Sequence, residues 1–221
     1  MDMIDWNSIE TVLLDMDGTL LDLNFDNHFW LEFVPLKYAQ LHDLSVEHAK
    51  QVLAPQFKAM EGQLEWYCLD YWSARLALDI QGLKAELAGL IAVLPHVTEF
   101  LEQLQQSNKR VFLVTNAHRD SLALKMDKTC LQRFFDGLYS SHDFGVAKEN
   151  PRFWESLQLQ LQFNKQRTLM IDDSLAVLNS AKAFGIAHLL TISQPDTQRP
   201  KRSSLEYPAI TDFRELLPIL S

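Results

Sequence analysis

The sequence predicts an α/β fold, a doubly wound parallel sheet of Rossmann-like type with an inserted small helical cap. Three observations predict it. Short, near-continuous apolar runs mark strands that are covered on both faces, since a half-exposed strand would alternate. From residue 97 onward these runs alternate with helical patterns, the signature of parallel βαβ units. After the first strand, a long stretch up to about Leu94 has helical periodicity and no convincing strand.

The first strand is expected over Thr11–Asp15 (TVLLD). In the stretch that follows, Val46, Ala49, Leu53, Phe57 and Met60 step by three and four behind Ser45, which is placed as an N-cap. Further helices are expected from Trp66 to Leu76 and around Gly82 to Ala92. Val97, Phe100, Leu101 and Leu104 share one helical face and lead into a strand over Arg110–Thr115. A third strand is expected over Gly137–Ser140, then a helix burying Phe153, Leu157 and Leu161. A fourth over Thr168–Asp172 precedes a helix carrying Val177, Ala181 and Phe184, closed by Gly185 as its C-cap. The fifth strand is His188–Ile192. The polar, proline-rich run Gln194–Pro208 reads as a surface loop, with Arg199, Lys201 and Arg202 as solvated charges, before a short helix near Phe213–Leu217. These assignments divide the chain into an α/β core, residues 1–22 and 95–221, and a cap, residues 23–94. Ligands of open α/β sheets bind outside the carboxyl ends of the strands. An insertion leaving the first strand is therefore expected to lie over the site as a lid.

Composition narrows the function classes. The 221 residues are 47% hydrophobic and 22% charged, which excludes disorder and collagen-like repeats. Lys and Arg number 20 against 29 Asp and Glu, a net charge of −9, so a grip on a nucleic-acid polymer is not expected. A small anionic substrate is compatible with a locally positive pocket. Cys68 and Cys130 match no metal-ligand spacing and are expected to be reduced thiols packed as small buried hydrophobes. The acidic start Met1-Asp2-Met3-Ile4-Asp5-Trp6 lacks a basic, then apolar, signal pattern. The longest apolar runs fall far short of the ~20 residues that span a bilayer. A cytoplasmic protein without a membrane association or an obligate protein partner is expected.

The chemistry is concentrated at strand ends. Asp15-Met16-Asp17-Gly18-Thr19-Leu20 puts two carboxylates beside a glycine turn, with Thr19 expected to hold the loop by bonding its backbone. Two acids this close call for a cation, and Mg²⁺ suits carboxylate, carbonyl and water oxygens. Thr115-Asn116 ends the second strand, where a hydroxyl and backbone N–H groups can hold phosphate oxygens. Lys148 follows Phe144-Gly145 as a fixed cation for a phosphoryl group. Asp172-Asp173-Ser174 ends the fourth strand with a second acidic pair.

In this order and at these strand ends, the four elements resemble the haloacid dehalogenase superfamily, across most of the chain. The resemblance implies Asp15 as the nucleophile, and Asp17 as the general acid for the leaving group and then the base for water. It implies that Thr115, Asn116 and Lys148 bind the phosphoryl oxygens. It also implies Mg²⁺ held by Asp15, the Asp17 carbonyl, Asp172 and Asp173, with Asp173 favoured as the more direct of that pair. Within the superfamily an aspartate at position 17 points to phosphatases and mutases rather than dehalogenases or ATPases. The segment 23–94 is rich in rings, among them Phe25, Phe29, Trp30, Phe33, Tyr38, Phe57, Trp66, Tyr67, Tyr71 and Trp72. Most are expected to fill the core of a helical bundle, and one or two to stack on a planar leaving group. On one continuous helix Tyr67 would share a face with Tyr71, and Trp66 with Asp70. His118 and Arg119 stand near enough to the second motif to reach a substrate or to serve the start of a helix. The stretches Leu14–Leu23, Trp66–Ser73, Thr115–His118 and Ile171–Ser174 are similar to the superfamily's bacterial GMP/IMP nucleotidases. That similarity implies hydrolysis of purine 5′-nucleoside monophosphates. The alternatives are a phosphatase or mutase acting on phosphoglycolate or a sugar phosphate, and a non-catalytic binding protein. The last would be expected to have lost Asp15, Asp17 or Lys148, and all three are present.

Overall fold

The structure is a computed structural model and describes residues 4–219; the first three residues of the acidic N-terminal stretch lie outside that range. Strand β1 (Thr11–Leu14) is followed by α1 (Asn24–His28), α2 (Val34–His42), α3 (Val46–Met60), α4 (Leu64–Tyr67), α5 (Leu69–Leu76) and α6 (Ile80–Glu86). The chain continues as α7 (Val97–Gln106), β2 (Arg110–Thr115), α8 (Arg119–Thr129), β3 (Gly137–Ser140) and α9 (Pro151–Leu161). It ends with β4 (Thr168–Ile171), α10 (Leu175–Phe184), β5 (His188–Ile192) and β6 (Ala209–Ile210). All strand pairs are parallel, in the order β3-β2-β1-β4-β5-β6.

The strands are apolar along their whole length because both faces are buried. Val12 and Leu14 of β1 point into one apolar cluster with Val97, Phe100, Leu101 and Leu104 of α7 and Leu122 and Met126 of α8. Leu13 points the other way, among Phe153, Leu157 and Leu161 of α9 and Val177, Leu178 and Ala181 of α10. Alternation across the sheet thus feeds two cores rather than a core and a solvent face. Gly185 closes α10 at φ +101°, as expected of a glycine C-cap.

The helices α1 to α6 form a third apolar cluster of their own around Phe29, Leu53, Phe57, Trp72 and Ile80. Ser45 caps α3 by accepting the His48 N–H at 3.2 Å. The chain enters and leaves these helices side by side. Leu94 N–H donates to the Leu20 carbonyl at 2.9 Å, and Asp22 N–H to the Ala92 carbonyl at 2.9 Å.

Several local expectations need correction. The helix expected over Trp66–Leu76 breaks at Cys68, which is extended (φ −84°, ψ 114°). The Trp72 indole N–H takes the Trp66 carbonyl at 2.9 Å, the acceptor that an unbroken helix would give to Asp70. The facial pairing of Tyr67 with Tyr71, and of Trp66 with Asp70, is lost with it. The helix expected around Gly82–Ala92 starts and ends earlier, at Ile80–Glu86, with a tight 3₁₀ turn over Ala88–Leu90. The C-terminal helix is likewise a 3₁₀ turn, Phe213–Leu216. Cys130 is exposed and Cys68 half-buried, so neither is a fully buried apolar filler; both are free thiols. The Gln194–Pro208 loop is partly built into the fold: Asp196 and Tyr207 are buried. Strand β6, which follows this loop, is too short at two residues to carry a periodicity. No helix among the described residues is long and apolar enough to cross a membrane.

Candidate active site

The sheet brings the predicted acids together by register. Leu14 of β1 lies opposite Ile171 of β4, so Asp15 and Asp172 leave adjacent strands at the same height. This is where the chain reverses its direction of strand addition, the usual ligand crevice of a doubly wound sheet. After β1 the Met16 carbonyl accepts the N–H groups of Leu20 and Leu21 at 2.9 and 2.8 Å, a single tight turn. Gly18 sits in that turn at φ +80°, and a Cβ there would stand 2.8 Å from Asp173 Cγ. Both the backbone angle and the approach of Asp173 exclude a side chain. Thr19 does not brace the loop as expected: its hydroxyl is buried and without a hydrogen-bond partner.

Lys148 is the hub. Its Nζ donates to Asp15 Oδ1 at 2.6 Å, Asp172 Oδ2 at 2.8 Å and the Val114 carbonyl at 2.9 Å. The lysine is held from behind. Its N–H donates to Asn116 Oδ1 at 2.9 Å, and its carbonyl accepts the indole N–H of the fully buried Trp154 at 2.9 Å. Asn116 Nδ2 in turn donates to Glu149 Oε2 at 2.9 Å. Thr115, buried at the end of β2, accepts the Ala117 N–H at 3.0 Å.

The carboxylate oxygens of Asp15, Asp172 and Asp173 lie within 4.8 Å of one another, an all-oxygen group that can hold a metal ion. Three carboxylates face one buried ammonium here, with the Arg202 guanidinium at the rim, 3.1 Å from Asp173 Oδ2. Arg202 is therefore not the purely solvated charge expected of it. Asp172 spends Oδ1 on the Ser174 N–H, and Oδ2 on Lys148. Burial pushes Asp15 up to about 7 against the pull of Lys148, with Asp172 adding repulsion. Burial likewise raises Asp172 to about 6, opposed by Lys148, and Asp173 to about 7, with repulsion from Asp15. Burial also disfavours the ammonium of Lys148, but Asp15 and Asp172 outweigh it and hold the lysine charged.

Asp17 turns away from this group into a second, unanticipated network. Lys125 Nζ on α8 stands 2.6 Å from both Asp17 Oδ1 and Asp26 Oδ2. Lys84 Nζ on α6 stands 2.6 Å from Asp26 Oδ1. Burial raises the Asp17 pKa more than Lys125 lowers it, so Asp17 retains its proton above the ordinary carboxylate range. Burial alone would raise Asp26 too, but the two lysines overcome it and keep that group ionised. Lys125 lies between Leu122 and Met126 on the buried face of its helix, a placement set by the docking of α8 and not by an apolar stripe in the sequence.

A cavity of about 300 Å³ opens above these groups. Asp15, Asp17, Thr115, Asn116, Lys148, Asp172 and Asp173 all line it, and α1 to α6 contribute Asp26, Lys84, Trp66 and Tyr67. Trp30 also lines it, packed near-parallel to Trp66 at 6.1 Å. Of the other rings of that segment, Phe25, Phe29, Phe57 and Trp72 are buried filling, as expected, whereas Phe33, Tyr38 and Tyr71 are half-buried. Tyr67 donates its hydroxyl to Glu149 Oε1 at 2.7 Å and so bridges the helices to the Lys148 loop. His118 lines the cavity and caps α8, whereas the exposed Arg119 pairs with Asp143 and does not line it.

Residues 9–185 match the family model described as haloacid dehalogenase-like hydrolase. The chain is 40% identical over 217 residues to the GMP/IMP nucleotidase YrfG of Escherichia coli strain K12, covering 98% of each chain. It is 26% identical over 214 residues to a phosphoglycolate phosphatase of Pseudomonas syringae pv. tomato, covering 94% of this chain and 78% of that protein. Among solved structures, a HAD phosphatase from Thermococcus onnurineus superposes with a TM-score of 0.78 at 21% identity, covering 94% of this chain and 96% of the other. The L-2-haloacid dehalogenase of Xanthobacter autotrophicus superposes at 0.63 with 16% identity, covering 94% and 96%.

Proposed function

Since the chain belongs to the haloacid dehalogenase-like hydrolases, we propose that it removes the phosphate from purine 5′-nucleoside monophosphates, GMP and IMP foremost. The observation that carries this reading is a buried aspartate–lysine pair under an aromatic-walled cavity, in a chain 40% identical to a GMP/IMP nucleotidase. Asp15 attacks phosphorus through a carboxylate oxygen, and the bond from phosphorus to the nucleoside oxygen breaks. Asp17, its proton retained by burial, gives that proton to the leaving oxygen. It then takes a proton from the water that cleaves the aspartyl-phosphate, which returns Asp15 and releases phosphate. Lys148 fixes Asp15 and neutralises charge gathering on the phosphoryl oxygens, with Thr115 and Asn116 beside it. Lys125 positions Asp17. Residues 23–94 act as a cap over a core of residues 1–22 and 95–221, and Trp30 and Trp66 offer rings near the purine.

Asp15, Asp172 and Asp173, with the Asp17 carbonyl, are proposed to hold Mg²⁺; three buried carboxylates against one buried ammonium fit a hard divalent cation. When bound, Mg²⁺ supplies Lewis-acid polarisation of the phosphoryl group. Its binding has a pH signature. The three acids have folded-state values of about 6 to 7 against an ordinary 3.8, so the metal-free fold binds more protons than the unfolded chain. Their stabilising contribution is present below the ordinary value and is lost as pH rises through 6 to 7. Mg²⁺ should therefore raise the thermal unfolding midpoint more at pH 8 than at pH 6. Equal shifts at the two pH values would argue against this set of ligands.

Substrate choice is tested by phosphate release with Mg²⁺ from GMP, IMP, AMP, UMP, phosphoglycolate and glucose 1-phosphate. GMP and IMP should be hydrolysed at least about tenfold faster than the others, a margin of about 1.4 kcal/mol in barrier. Phosphoglycolate or glucose 1-phosphate leading the panel would keep the chemistry and overturn the purine assignment.

A further inference from the structure

The site already described uses oxygen donors and one lysine, and a group of softer donors stands nearby. Cys68, His118 and His142 bring a thiol sulfur and two imidazole nitrogens within 4.8 Å of one another. They come from three places: the break between α4 and α5, the cap of α8, and the turn after β3. We propose that Cys68, His118 and His142 form a second metal site, for a thiophilic divalent cation of the zinc class, that fastens the helical segment to the sheet.

The donor set itself is the first argument. One sulfur and two imidazoles suit zinc or cobalt(II) and not Mg²⁺, which takes oxygen. The state of His142 is the second. Its Nε2 is buried and has no hydrogen-bond partner, so a ring nitrogen stands unused inside the cluster. His118 Nδ1 accepts the Asp120 N–H at 3.4 Å in the cap of α8 and stands 3.5 Å from the Asp120 carboxylate, which leaves Nε2 as the nitrogen to face the cation. Asp70 Oδ2, 3.7 Å from that Nε2, adds negative charge at the open side.

Donors around a tetrahedral zinc stand about 3.3–3.8 Å apart, given bonds of about 2.0–2.3 Å. The three groups therefore need to draw in by at most about 1.5 Å. On binding, the Cys68 S–H bond breaks, its proton leaves to solvent and a sulfur–metal bond forms, with no change of oxidation state. The bound ion would tie Cys68, between α4 and α5, to two residues of the α/β sheet region. If the helices must move for turnover, zinc slows it; that effect rests on the phosphatase reading, whereas binding does not.

The test is cobalt(II) titration of the intact, metal-stripped chain with Mg²⁺ in excess to fill the carboxylate cluster. One equivalent should give a thiolate-to-cobalt charge-transfer band that Zn²⁺ bleaches. Cys68→Ser should abolish the band and His142→Gln should weaken cobalt binding by at least about tenfold. Serine can still cap the Tyr71 N–H that Cys68 Sγ now accepts, so this variant should keep its unfolding midpoint. Cys130→Ser and Asp173→Asn should retain the band. Absence of a thiolate band, its survival in Cys68→Ser, or its loss in Asp173→Asn would overturn the site. Zn²⁺ should also slow GMP hydrolysis in the wild type and not in Cys68→Ser; if GMP proves not to be a substrate, the spectroscopic result stands unaffected.

Discussion

Lys148→Met should lower phosphate release by at least about 10²–10³-fold and destabilise the metal-free fold at pH 8 by about 3–5 kcal/mol. The two effects have one origin. Lys148 is 2% exposed and its ammonium neutralises Asp15 and Asp172, which are 8% and 1% exposed. Removing it strands two carboxylates that have already been taken out of water, and a methionine of similar volume gives them nothing in return. The stranded acids can escape the penalty by taking up protons. Without the lysine their pKa values move further up, from about 7 and about 6, so the loss of stability should shrink between pH 8 and pH 6. Urea unfolding of the wild type and the variant at both pH values, without Mg²⁺, measures this. Lys148→Arg should restore part of the stability and little of the activity. A planar guanidinium cannot place one nitrogen within 2.9 Å of Asp15, Asp172 and the Val114 carbonyl together. A Met variant as stable at pH 8 as the wild type would mean that the lysine does not carry the charge balance of the site.

What could be read from the sequence follows from where the chemistry sits. Asp15, Thr115 and Asp172 stand at the ends of apolar runs, and in a parallel sheet every strand end points to the same edge. The run marks the strand, and the register does the rest. Lys148 was legible through its order after those motifs. Lys125, Lys84, Asp26 and Glu149 were not. Lys125 lies 108 residues from Asp17, and its pairing is made by the docking of α8 against helices inserted elsewhere, which local periodicity does not encode. The break at Cys68 was hidden for a related reason. Trp66 to Trp72 has no Gly or Pro to announce it, and the Trp72 indole takes the carbonyl that would have continued the helix. Tertiary contact overrode local preference there. It did so at the position that brings Cys68 to His118 and His142.

The mechanism rests on Asp15 more than on any other residue, and Asp15→Asn removes its nucleophile while nearly preserving its shape. The amide keeps an oxygen that can accept from Lys148, so the variant should fold and still bind a phosphate ester. It cannot form the acyl phosphate, and covalent catalysis is then lost as a whole rather than in part. Phosphate release from GMP by Asp15→Asn, beside the wild type with Mg²⁺, is the most direct measurement. Its rate should fall at least about 10⁴-fold, equivalent to about 5 kcal/mol of barrier, with the unfolding midpoint nearly unchanged. Turnover within tenfold of the wild type, in protein cleared of contaminating phosphatases, would contradict the mechanism and remove Asp15 as the phosphoryl acceptor.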